Sequence, residues 1–152
     1  MNATDARRLA ERLIRQHLTD NGHRGWTFVW GRGKRTLGTC NYAARTITLS
    51  RPFAQLNAEA EVLDTILHEI AHALTPGAKH GAAWKAACVR LGARPNRTAS
   101  LQQVVVPPSK YALVCPCCGA RSGRERRTTR RYYCGPCYQR GERHVLDFVR
   151  DA

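Results

Sequence analysis

Residues 67–72 read Leu-His-Glu-Ile-Ala-His and bring together three side chains that bind metals or carry protons. His68 and His72 are four apart, which on a helix puts both imidazoles on one face and within reach of one ion. Glu69, beside His68, can approach a water on that ion without ligating it. Zinc brings the pKa of such a water towards about 7, and a carboxylate can then take its proton as it attacks a carbonyl. Catalytic zinc keeps three protein ligands and one open position. From Ile70 to Arg124 the chain has no Asp or Glu, and the one histidine there outside the motif is His80. By elimination His80 is the candidate third ligand. Asp64, four residues before His68, is placed either to orient an imidazole or to sit as an ordinary acid near a helix start.

A second constellation is made of thiols. Cys115-Pro116-Cys117-Cys118 and Cys134-Gly135-Pro136-Cys137 form two CxxC knuckles separated by fifteen residues. Four thiolates on two tight turns give the closed tetrahedral site of structural zinc, with Cys115, Cys118, Cys134 and Cys137 as ligands. Cys117 is the odd thiol, because using it breaks the two-residue spacing. The expectation is two zinc ions per chain, one catalytic and one structural. Between the knuckles stand Arg121, Arg124, Arg126, Arg127, Arg130 and Arg131, against Glu125 alone, followed by Tyr132-Tyr133. Arginines on such a cationic tongue contact phosphates, and Tyr132 can stack on an exposed base. Nothing in it encodes base-specific readout.

These side chains need elements to position them. Ala6, Leu9, Ala10, Leu13, Ile14 and Leu18 recur at helical spacing and predict an amphipathic N-terminal helix, capped by Asn2 or Thr4 and ended by Asn21-Gly22. Three strand-like runs follow, at 26–30, 36–42 and 45–49, read as a small antiparallel sheet closed by Arg51-Pro52. The metal helix should start at an Asn57 cap with Glu59 and Glu61 in its first turn. Leu63, Ile66, Leu67, Ile70 and Leu74 form its buried face, and Pro76-Gly77 ends it. A further helix should run from Gly81 or Ala82 to Leu91, stopped by Gly92 and packed through Trp84. Residues 93–106 carry no clear pattern, and Pro107-Pro108-Ser109-Lys110 reads as a linker. The expected organisation is α+β: a domain over 1–108 and a four-cysteine ribbon over 109–152. A ribbon this short cannot fold on apolar burial alone, so metal must supply the missing stability.

The chain has 152 residues and 25 Lys+Arg against 11 Asp+Glu, for a formal net charge of +14. That excess implies an anionic partner, with nucleic acid, DNA above all, the leading class. No apolar run approaches the roughly 18 residues needed to cross a bilayer. The charged N-terminal stretch does not read as a secretory signal. The expected setting is therefore intracellular, cytoplasmic or nucleoid-associated, where cysteines serve as metal ligands or core thiols; Cys40 and Cys88 read as the latter.

The stretch His68-Glu69-Ile70-Ala71-His72 to His80-Gly81-Ala82-Ala83-Trp84 resembles the SprT-like family of zinc metallopeptidases. In that family an HExxH helix is followed by a loop and an H-G-x-x-[WF] element. The segment from Trp30 to Tyr42, the Ile47-Thr48-Leu49-Ser50 run and the cysteine ribbon are similar too, so the likeness spans roughly residues 6–140. The resemblance implies a minimal zincin fold, cleavage of DNA-bound proteins, and a sheet edge that holds substrate as an added strand. Two departures stand out: the loop from His72 to His80 is short, and no long tail here carries partner-recruiting motifs, so regulation and targeting by such tails are not carried over from the resemblance. The competing reading is a DNA-binding module whose zincin domain is a scaffold; an intact Glu69 argues against it, since a structural site has no use for a base there.

Overall fold

The computed structural model describes residues 1–97 and 104–150. The chain divides into two units, Met1–Pro107 and Pro108–Ala152. In the first, the apolar stripe of Ala6, Leu9, Ala10, Leu13 and Ile14 is buried and α1 (Ala3–His17) forms on it. Asn2 caps it, its side-chain oxygen accepting the Asp5 N–H at 2.9 Å. A short 3₁₀ turn, Thr19–Asn21, then leads to Gly22, whose φ of 87° turns the chain back.

Three strands follow: β1 (Thr27–Gly31), β2 (Gly38–Asn41) and β3 (Thr46–Ser50), in the order β1-β3-β2. β2 and β3 make an antiparallel hairpin with Cys40 opposite Ile47, while β1 runs parallel to β3 with Phe28 opposite Ile47. The sheet is mixed, not wholly antiparallel as the strand pattern suggests. β1 and β2 do run in opposite directions, but they lie one strand apart and β3 inserts between them. Residue alternation tells which side chains share a face and carries no information on strand order.

Two helix boundaries also differ from expectation. Arg51-Pro52 does not merely close the sheet: it opens α2 (Arg51–Leu56), with the Ser50 hydroxyl accepting the Phe53 N–H at 3.2 Å and Pro52 in the first turn. Asn57 ends α2 and is not the cap of α3 (Glu59–Leu74), which starts from Ala58 with no side-chain cap bond. Asn57, only 5% exposed, instead donates to the carbonyls of Phe53 and Val105 and accepts the Val105 N–H at 2.7 Å. It staples the 104–106 segment to the end of α2. α4 (Ala82–Leu91) ends at Gly92, in the left-handed region at φ 81°. Ile47, Leu49 and Phe53 pack with Ile66, Ile70, Trp84 and Cys88 in one core.

The second unit is built on β4 (Tyr111–Val114), β5 (Arg121–Arg124) and β6 (Asp147–Arg150), antiparallel in the order β5-β4-β6, with a short α5 (Gly135–Gln139). Around the knuckles its core is sulfur: Cys115, Cys134 and Cys137 are buried, with Ala120 and Leu146 against them. The fold class is α+β, with a cysteine cluster compatible with a zinc ribbon. Among the described residues no helix is long and apolar enough to cross a membrane.

Candidate metal centres

α3 carries His68 and His72 on successive turns, and the backbone beyond it folds back to deliver His80. The Thr75 N–H bonds the His72 carbonyl at 3.0 Å, Ala78 N–H that of Thr75 at 3.1 Å, and Gly81 N–H that of Ala78 at 2.9 Å. Gly77 and Lys79, with φ of 78° and 50°, take the left-handed turns this path requires. His80 Nε2 comes to 3.2 Å from His72 Nε2, and one ring nitrogen from each of His68, His72 and His80 lies within 4.8 Å of the others. The Trp84 indole, fully buried, lies against all three rings, with centroids 4.7, 5.3 and 4.7 Å from His68, His72 and His80. It fixes the imidazoles by contact, and its own Nε1–H is buried with no hydrogen-bond partner among the described residues. Burial, then the neighbouring His72 and His80, pushes the His68 pKa down to about 4. Burial also leads in lowering His72 and His80. Three neutral imidazoles with converging lone pairs form a donor set that fits zinc.

Glu69 is 8% exposed, and burial raises its pKa to about 7. β2 lies against it so closely that a Cβ at Gly38 would fall 2.9 Å from Glu69 Cγ and 3.0 Å from its Oε1. The hairpin is also tied to the far end of α3, where the Tyr42 hydroxyl donates to the His72 carbonyl at 2.8 Å. Between β2 and α3 opens a cleft of about 730 Å³, lined by Gly38, Cys40, Tyr42, Glu69 and the three histidines among others. Cys88 is a core thiol as expected, whereas Cys40 is half-buried in this cleft, its pKa pushed up to about 12 by burial and then by Glu69. Asp64 does not serve an imidazole: one oxygen accepts the Arg94 N–H at 2.7 Å and the other meets its guanidinium at 2.9 Å, beside the Glu61–Arg94 pair. The acid clamps the segment after α4 onto α3.

A model of the SprT-like family matches residues 6–103, from α1 to beyond α4. The chain belongs to the SprT-like family. No curated protein and no solved structure matches it. Membership and the histidine cluster together make this SprT-like unit a metalloprotease-like domain able to hold a metal ion. The second unit lies outside the matched residues.

In that second unit the sulfurs of Cys115, Cys118, Cys134 and Cys137 lie within 4.8 Å of one another. Closest are Cys118 with Cys134 at 3.5 Å and Cys115 with Cys137 at 3.8 Å. The first knuckle favours thiolate: the Ala120 N–H, then Cys134, lowers the Cys118 pKa to about 7. Four converging thiols of this kind could hold zinc. Cys117 is exposed and belongs to a different group, with Glu142 Oε2 3.9 Å away. The tongue arginines divide. Arg124 and Arg130 lie over the Tyr132 ring at 5.2 and 5.9 Å, and Arg127 over Phe148 at 5.9 Å. All six but the half-buried Arg124 are exposed. Tyr132 meets Phe148 of β6 edge-on at 6.3 Å. Sequence reasoning passes over Phe148, because one aromatic in a final strand carries no signal until folding brings it beside the tongue.

Proposed function

We propose that the chain is a zinc-dependent endopeptidase working beside nucleic acid, with Glu69 as general base and general acid. The observation that carries this is the buried Glu69 carboxyl set in one cleft with three converging imidazoles. A metal site with a structural role alone has no need of an acid there. His68, His72 and His80 would hold the ion. Zinc bound by them supplies Lewis acidity that lets water attack near neutral pH. The chain's own residues do the rest. Glu69 accepts a proton from the attacking water and returns it to the departing amine, so the C–N bond breaks without an exposed amide anion. Gly38 lets β2 approach that carboxyl, and Trp84 keeps the imidazoles from rotating apart. The outer edge of β2 has no strand partner among the described residues and borders the cleft, which suits an extended peptide added as a further strand.

The nucleic-acid reading rests on charge. Tongue arginines and the aromatic pair Tyr132 and Phe148 present cations and ring faces together, the combination that follows a phosphate backbone and stacks on bases. Substrates would then be proteins held on nucleic acid, probed with zinc-loaded protein and basic DNA-binding proteins, with and without DNA. Cleavage that DNA stimulates and Glu69→Gln abolishes supports the proposal. Equal cleavage by both forms removes the mechanism, and no cleavage by either favours a scaffold.

A further inference from the structure

Cys117 is the one thiol of the first knuckle that the four-cysteine cluster does not use, and it does not stand alone. Its sulfur, Cys137 Sγ, a Glu142 oxygen and a His144 ring nitrogen all lie within 4.8 Å of one another. Glu142 Oε2 is 3.9 Å from Cys117 Sγ and 3.4 Å from His144 Nε2. Three facts set this group apart from a chance surface cluster. It draws on both knuckles' surroundings, so the fold that closes the first cluster also assembles the second group. It mixes thiol, imidazole and carboxylate, the donor types that thiophilic divalent ions take. It also already surrounds a positive charge: the Arg140 guanidinium reaches Cys137 Sγ at 3.3 Å and Glu142 Oε2 at 3.4 Å.

We propose that Cys117, Glu142 and His144 form an additional metal site on the outer side of the cysteine cluster, taking a thiophilic divalent cation such as zinc or cobalt. Cys137 belongs to both groups, and its sulfur can bridge two ions as a thiolate. Arg140 competes for the same sulfur and carboxylate oxygen. Its side chain is 52% exposed, so it can swing into solvent when an ion enters. The chain would carry three metal ions when saturated, the third the most easily removed because two of its ligands are exposed.

The test uses the full chain, first loaded with two equivalents of zinc and then titrated with cobalt(II). Thiolate-to-cobalt charge-transfer absorption is followed and zinc retention measured in parallel. The expected result is one further equivalent bound with that absorption and with both zinc ions retained. Cys117→Ser and His144→Ala should each remove the band and weaken cobalt binding on the order of tenfold or more, while Arg140→Gln strengthens it. Cys117→Ser is nearly isosteric at an exposed position, and retention of two zinc ions reports that the variant still folds. Absence of the band overturns the proposal. So does a band undiminished in Cys117→Ser, or one that appears only as zinc is released, since cobalt would then be exchanging into the four-cysteine cluster. A band that survives His144→Ala would make Cys117 a spare ligand of that cluster, and also overturns it.

Discussion

Glu69 is an acid placed where burial opposes its charge, and two predictions follow from that placement. Replacing it with Gln should leave zinc content unchanged and lower peptidase turnover about 10²–10⁴-fold, the usual worth of a positioned base. The second concerns metal-free protein. The folded pKa of Glu69 is raised to about 7 from 4.5, so its protonated form favours folding. That stability is present at low pH and is lost as pH rises from about 4.5 through about 7. His68 acts oppositely, losing stability as pH falls from 6.5 towards about 4, but it is common to both proteins and cancels. Metal-free Glu69→Gln should therefore gain on the parent between pH 4.5 and 7, by up to about 3 kcal/mol in denaturant unfolding. A constant difference across that range would mean the carboxyl is not buried as described. Gly38 tests the same approach from the other side. Gly38→Ala puts a Cβ 2.9 Å from Glu69 Cγ and 3.2 Å from the Thr48 carbonyl. It should cost about 1–3 kcal/mol of stability and reduce turnover while zinc content holds. Full activity in that variant would show that the carboxyl has room to spare.

At the scale of elements, α3 is held from three directions. The β2–β3 hairpin grips its far end through Tyr42, Arg94 clamps its first turns through Glu61 and Asp64, and Trp84 of α4 backs the histidines. Asn57 does the same service for the segment that follows the site, satisfying both backbone groups of Val105. Asn57→Ala would leave these groups unpaired, and should cost about 2–4 kcal/mol in chemical denaturation. A loss below about 0.5 kcal/mol, typical of a surface change, would place Asn57 outside the fold's framework. The sequence misleads at this residue because Asn before two acids matches a helix cap. The cap pattern is local, whereas the Val105 partner is 48 residues away.

At the scale of the molecule, the three-histidine group and the four-cysteine group belong to separate units. His72→Ala should empty one site and leave the other filled, and replacing Cys134 and Cys137 by serine should do the reverse, as read by metal analysis. Coupled loss would contradict that division. The arginine tongue should act through salt-dependent binding. Alanine at Arg126, Arg127, Arg130 and Arg131 should weaken nucleic-acid affinity about equally across sequences. The slope of log affinity on log salt should flatten by about 0.7–0.9 for each phosphate no longer neutralised. Cleavage of a free peptide should be unchanged. An unaltered slope would move the binding role to other cations, of which residues 1–107 hold fifteen Lys and Arg.

By itself the sequence determined what is local. Helical spacing put His68 and His72 on one face, the knuckle spacing singled out four cysteines, and the apolar stripe marked α1, because each signal lies within a few residues of chain. His80 was reached by elimination, for lack of any acid between Ile70 and Arg124, and by the resemblance of His80-Gly81-Ala82-Ala83-Trp84 to the family's element after the helix. Tertiary structure alone decided what depends on distant segments meeting. The insertion of β3 between β1 and β2, the loan of Asp64 to Arg94 and the approach of Gly38 to Glu69 were all of this kind. So was the gathering of Cys117, Glu142 and His144. Periodicity reports which face a residue takes; what that face meets is set by packing across the chain, where burial and hydrogen-bond satisfaction are decided together.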